Sequence, residues 1–71
     1  MMKVIDLHGI RYRDVYGALE SVLTQSDVPF VVITGNSSQM KRIVTEIVRT
    51  FDLSTREQIG NAGRLIVYES R

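Results

Sequence analysis

Asp6 and His8 stand two residues apart in the stretch VIDLHGI, residues 4–10, and the histidine is the only one in the chain. Imidazole has an unperturbed pKa of ~6.5, which suits it to take or give a proton near neutrality. A carboxylate two positions away on a strand shares its face, so Asp6 can orient the ring and favour its charged form. A second group follows in TGNSS, residues 34–38. Gly35 permits a tight turn, and the free amides around Ser37, Ser38 and Gln39, where a helix should begin, make an anion site. Four cations, Arg11, Arg13, Lys41 and Arg42, follow these two loops. Together the groups suit cleavage of a phosphodiester: His8 as acid or base, Asp6 to orient it, amides and cations to stabilise charge. RNA carries its own 2′-hydroxyl nucleophile, so one histidine suffices there without a metal.

The composition narrows the alternatives. With no cysteine and one histidine, the chain offers neither a disulfide framework nor the ligands of a zinc site, and no cofactor is expected. Nine Lys/Arg against eight Asp/Glu leave a net charge of +1, so any anion binding must come from local arrangement rather than a global field. Apolar residues at 44 % and charged residues at 24 % belong to a folding chain. Nothing in it reads as an apolar leader or a membrane span, and a cytoplasmic location is the expectation. At 71 residues it has room for one domain, spanning 1–71, whose core must be efficient because so short a chain buries only ~60 % of its unfolded surface.

These groups need a scaffold, and the periodicity supplies one. Residues 3–7 alternate and are rich in β-branched types, which predicts a first strand ending at Gly9. Val15, Ala18, Leu19, Val22 and Leu23 line one face of a helix from about Tyr12 to about Gln25. SDVP breaks it, and FVVIT reads as a strand buried on both faces. Met40, Ile43, Val44, Ile47, Val48 and Phe51 mark a second amphipathic helix, with Ser37 or Ser38 as its N-cap. LSTREQI alternates weakly, GNAG is turn chemistry and RLIVYE is a strong strand, so the chain should close with a hairpin. The order βαβαββ predicts an α/β chain of the α+β two-layer sandwich type, with a mixed four-stranded sheet and two helices on one face. If Ile5 and Leu7 face the helices, then Asp6 and His8 face the open side. A helical crossover makes the first two strands parallel, so the DLHG and TGNSS loops leave the same sheet edge, where such proteins bind ligands.

Each group also has a purely structural reading. Asp6 can cap loop amides while His8 bonds a carbonyl, and the Gly-Asn-Ser-Ser stretch can be only a capped turn. It is not a P-loop, because the Gly-Lys-Ser/Thr ending is missing. The four cations can be solvated surface charge, and Tyr68, outward by the alternation that buries Leu65 and Val67, either covers the open face or stacks a base. Tyr12 and Tyr16 share that ambiguity.

The succession VIDLHGI, helix, VVITGNS, helix, GNAGRLIVYE resembles the small MutS-related (Smr) domain. That family carries a Leu-Asp-Leu-His-Gly-like motif at the end of its first strand and a Thr/His-Gly-X-Gly motif after its second; the likeness runs from Val4 to about Glu69. The resemblance implies a fold like the C-terminal domain of translation initiation factor 3. It also implies nucleic-acid binding, of RNA or DNA, with endonuclease activity linked in some members to stalled ribosomes. It makes Asp6 and His8 the catalytic candidates and Thr34, Gly35 and Asn36 the substrate-facing loop; Gly9, Ser37, Ser38, Arg11, Arg13, Lys41 and Arg42 join them as expected binding residues from the reading of the loops themselves. The chain departs from the motif at Ser37, which stands where the family has its second glycine and puts a side chain where backbone approaches phosphate. The alternative expectation is a non-catalytic module that grips nucleic acid or a protein with the same sheet edge.

Overall fold

The computed structural model describes residues 2–25 and 27–69. Six elements follow in the order β1 (Val4–Asp6), α1 (Tyr12–Gln25), β2 (Phe30–Ile33), α2 (Ser38–Thr50), β3 (Ser54–Gln58) and β4 (Asn61–Tyr68). The sheet runs β1-β2-β4-β3, with β1 parallel to β2 and both other pairings antiparallel. Because α1 carries the chain back across the sheet between β1 and β2, those strands must run the same way, and their C-terminal ends share one edge.

Both helices lie on one side. Val15 and Leu19 of α1, Met40, Val44 and Val48 of α2, and Leu7, Phe30, Val32, Leu65 and Val67 from the sheet side form one buried cluster. Those β2 and β4 residues alternate along their strands, as a two-layer sandwich requires. Ala18, Val22, Leu23, Ile43 and Ile47 pack around the rim, so each helix presents the stripe its spacing predicts. The Val28–Pro29 peptide between α1 and β2 is cis.

The ends of α2 explain its register. Ser37 is extended (φ −73°, ψ 114°) and its hydroxyl accepts from the Met40 amide at 3.1 Å, which settles the choice of cap between the two serines. At the other end the Leu53 amide donates to the Val48 carbonyl and the Asp52 amide to that of Arg49, a Schellman arrangement. Asp52 takes the left-handed position, φ 61°, that glycine usually fills there.

Two boundaries differ from the sequence expectation. The first strand is shorter than residues 3–7, although the Lys3 carbonyl and the Leu7 amide still bond to β2. The closing turn is not GNAG. It falls at Ile59 and Gly60, the glycine at φ 79°, and residues 61–63 already belong to β4. The ladder pairs Glu57 with Leu65 but Gln58 with Asn61, so residues 62–64 bulge out of the β3–β4 pairing. Turn composition alone could not place this, because Asn61 and Gly63 serve the bulge, the Gly63 amide donating to the Asn61 side chain at 3.1 Å.

Candidate functional site

The bulge builds the site. Freed from β3, Gly63 turns its carbonyl to the end of β2, where it accepts from the Thr34 amide at 2.9 Å and the Gly35 amide at 3.1 Å. Thr34 is 2 % exposed, and its hydroxyl donates to the Gly35 and Gly63 carbonyls at 2.9 and 3.3 Å. That corrects one expectation: Thr34 shapes the second loop from beneath and offers no free hydroxyl to a ligand. Gly35 sits at φ 66°, and a Cβ placed there would lie 3.7 Å from the Cβ of His8. The two loops meet, at the same edge, as the parallel pairing of β1 and β2 requires.

Asp6 and His8 both face the uncovered side; their side chains are 52 and 69 % exposed. One carboxylate oxygen of Asp6 accepts twice from His8, from the backbone amide at 3.1 Å and from ring Nδ1 at 2.6 Å. The amide bond is the capping role that a structural reading gives Asp6; the ring bond is the orienting role, and the structure contains both. A carboxylate can only accept, so Nδ1 carries the proton and Nε2 is left to titrate. The side-chain hydrogen bond to Asp6, reinforced by the carboxylate charge, holds the His8 pKa above its ordinary value. Asp6 is pushed below its own by the ring hydrogen bond first and then by the His8 amide, with a smaller pull from the charge of Arg64.

These opposite shifts fix a pH window. A raised imidazole pKa contributes stability that is complete below the unfolded value of ~6.5 and is lost as pH climbs through the folded one. A lowered carboxyl pKa contributes stability present above its unfolded value of ~3.9 and lost as pH falls through the folded one. The pair is therefore fully made between roughly pH 4 and 6.5. In Asp6→Asn the His8 ring should titrate at a lower pH than in the wild type, read from its Hε1 proton by NMR; an unmoved midpoint would mean that the carboxylate does not hold the ring.

Where the two loops meet the helices, a cleft of about 450 Å³ is lined by Gly9, Ile10, Arg11, Tyr12, Thr34, Ser37 and Met40, and neither Asp6 nor His8 is among its walls. Its walls are tied together by the Tyr12 hydroxyl and the Ser37 Oγ, 3.1 Å apart. The first turn of α2 is open beside it, since the Ser38 and Gln39 amides precede any intrahelical acceptor. Asn36 is exposed at the tip of the loop.

The expected group of four cations does not assemble. Arg11 lines the cleft, and Arg13 is exposed in the first turn of α1. Lys41, however, pairs with Glu57 of β3 at 3.0 Å, and β3 is the sheet edge opposite β1. Arg42 lies 3.8 Å from Glu46 along α2. The cause is the core stripe: burying Met40 and Val44 rotates the positions between them toward β3 and solvent. In their place stands a cation the sequence reading passed over. Arg64 shares a sheet rung with Ile33 and Asp6, close enough for its charge to act on the Asp6 carboxyl. The signal for it was present, since Arg64 opens the strongest strand, but it became legible only with the register of β4 against β2.

No protein-family model matches this chain, and neither a curated protein nor a solved structure is significantly similar to it.

Proposed function

We propose that this chain is an Smr-like nucleic-acid-binding domain of the cytoplasm that cleaves RNA in preference to duplex DNA, without a metal. The observation that carries the reading is the exposed imidazole, fixed by Asp6 at 2.6 Å and set against the Gly35 loop. The Asp6 bond keeps the proton on Nδ1, so Nε2 accepts the proton of the ribose 2′-hydroxyl. The 2′-oxygen attacks phosphorus, the bond to the 5′-oxygen breaks, and the leaving oxygen takes a proton from water or from His8 in turn. The products are a 2′,3′-cyclic phosphate and a 5′-hydroxyl. Charge gathering on the phosphoryl oxygens is met by Arg11, Arg64 and the open amides of Ser38 and Gln39.

One observation favours a module that binds without cutting: the Ser37 hydroxyl, where the family has glycine, caps the Met40 amide and lies 3.1 Å from Tyr12, which narrows the loop. A single experiment separates the two. End-labelled single-stranded RNA, and the same strand with 2′-deoxyribose throughout, are incubated with the protein in excess chelator. The cleaving domain yields cyclic-phosphate ends from the ribose strand and leaves the deoxy strand whole while still binding it. Binding of both strands with no product above a mock preparation would leave the interaction module standing instead. Cutting of the deoxy strand would remove the 2′-hydroxyl mechanism.

A further inference from the structure

The helices cover one side of the sheet and leave the other bare. Register decides what that bare face carries. Asp6, Ile33 and Arg64 occupy one rung, Val4, Val31, Ile66 and Arg56 the next on that side, and Tyr68 stands opposite Ser54 beyond them. Charge is sorted between the two sides. Glu57, next to Arg56 in sequence, faces the helices and is taken by Lys41, whereas Arg56 and Arg64 stay on the bare face. Among the described strand residues Asp6 is the only carboxylate on that face, and His8 already holds it. Among the described strand residues the bare face is thus net basic, in a chain whose net charge is only +1. Its floor is apolar: Val4 is 48 % exposed, and Ile33 and Ile66 are half-buried. The Arg56 guanidinium lies over the Tyr68 ring at 5.9 Å from its centroid, a loose contact made by an exposed side chain.

We propose that this face is a platform for a single strand of nucleic acid, which runs from the His8 corner past Arg64 and stacks a base on Tyr68, with Arg56 on the adjoining phosphate. The proposal rests on the reading above and names where the remainder of that substrate lies. Arg64 is two strand spacings from Asp6, ~10 Å, and Tyr68 is four residues further along β4, ~13 Å, so the track is a few nucleotides long. Arginine charge at intervals with an aromatic ring on an apolar floor is what an unpaired strand recognises: phosphates find cations, and a base finds a π-face. A duplex keeps its base faces stacked internally and gains only the charge. A second copy of this chain would set basic face against basic face.

Fluorescence anisotropy with a labelled twelve-nucleotide oligouridylate and with a duplex of equal length, across a salt series, tests the platform. The single strand should bind more tightly than the duplex. Tyr68→Ala should weaken single-strand binding about tenfold and leave the salt slope unchanged, Tyr68→Phe should restore it, and Arg56→Gln and Arg64→Gln should each lower the slope by about 0.7. Equal affinity for both probes, or no change in any of the four variants, would overturn the proposal. So would a dimer, seen by sedimentation, that Val4→Glu dissociates without altering affinity for the strand. Arg56→Gln alters an exposed side chain, so a weakened salt dependence there cannot be charged to misfolding. The cleavage reading fails separately: a wild type that never cuts, yet loses affinity in Tyr68→Ala, removes the endonuclease and keeps the platform.

Discussion

His8→Ala should abolish cleavage of single-stranded RNA while binding survives. Proton transfer by a positioned side chain contributes ~10²–10⁴ in rate, and here one imidazole has no second histidine to replace it. The ring is 69 % exposed, so its removal opens no cavity, and the melting temperature of the variant should stay close to that of the wild type. Asp6→Asn should fall between the two. The amide can still accept from the His8 backbone, but it no longer favours the imidazolium, and the acid limb of the pH profile should shift to lower pH with the ring's own pKa. Rate constants from single-turnover assays between pH 5 and 9, beside anisotropy for affinity, check both variants. Equal rates for His8→Ala and wild type would remove His8 from the chemistry, whatever the fate of the strand platform.

The largest effect on stability should come from the opposite side of the sheet. Phe30→Ala is expected to cost ~3–5 kcal/mol, the range for deleting a buried phenyl ring. A 71-residue domain has only ~4–10 kcal/mol to lose. Phe30 is 0 % exposed, at the start of β2 opposite Val67, where the ring joins the cluster shared by both helices. The thermal midpoint by circular dichroism should drop by ~12–40 °C, since each kcal/mol moves a domain of this size by ~4–8 °C. Val4→Ala offers the contrast: it sits on the bare face, 48 % exposed, and should move the midpoint by no more than a few degrees. A Phe30→Ala variant that melts with the wild type would contradict the assignment of which face of the sheet is buried.

The two experiments probe the two sides of one sheet, and the sidedness links them. β1 and β2 alternate between the helices and the open side, so the residues that stabilise the chain and those that can do chemistry are separated by a single peptide step. Ile5 and Leu7 hold the strand down; Asp6 and His8 are thereby held up. A core substitution that tilts β1 would move the imidazole relative to the Gly35 loop, and a loss of cleavage in such a variant would report packing rather than proton transfer.

Periodicity by itself determined the elements, their order, the two-layer arrangement and the face on which Asp6 and His8 stand. Each of these follows from local rules: apolar spacing of 3.6 or 2, a serine able to cap, a crossover long enough to make β1 and β2 parallel. The meeting of the DLHG and TGNSS loops was legible for the same reason. The hairpin register was not. GNAG carries turn residues at three of its four positions, and local chemistry cannot say which of them turn; the structure spends Gly60 on the turn and Gly63 on holding the second loop through its carbonyl. That non-local choice brings Arg64 onto the rung of Asp6. The fate of the cations was equally a tertiary matter. Charge on a helix can be counted in the sequence, but whether Lys41 serves a phosphate or Glu57 depends on where the buried stripe of α2 aims it and on which strand lies beneath.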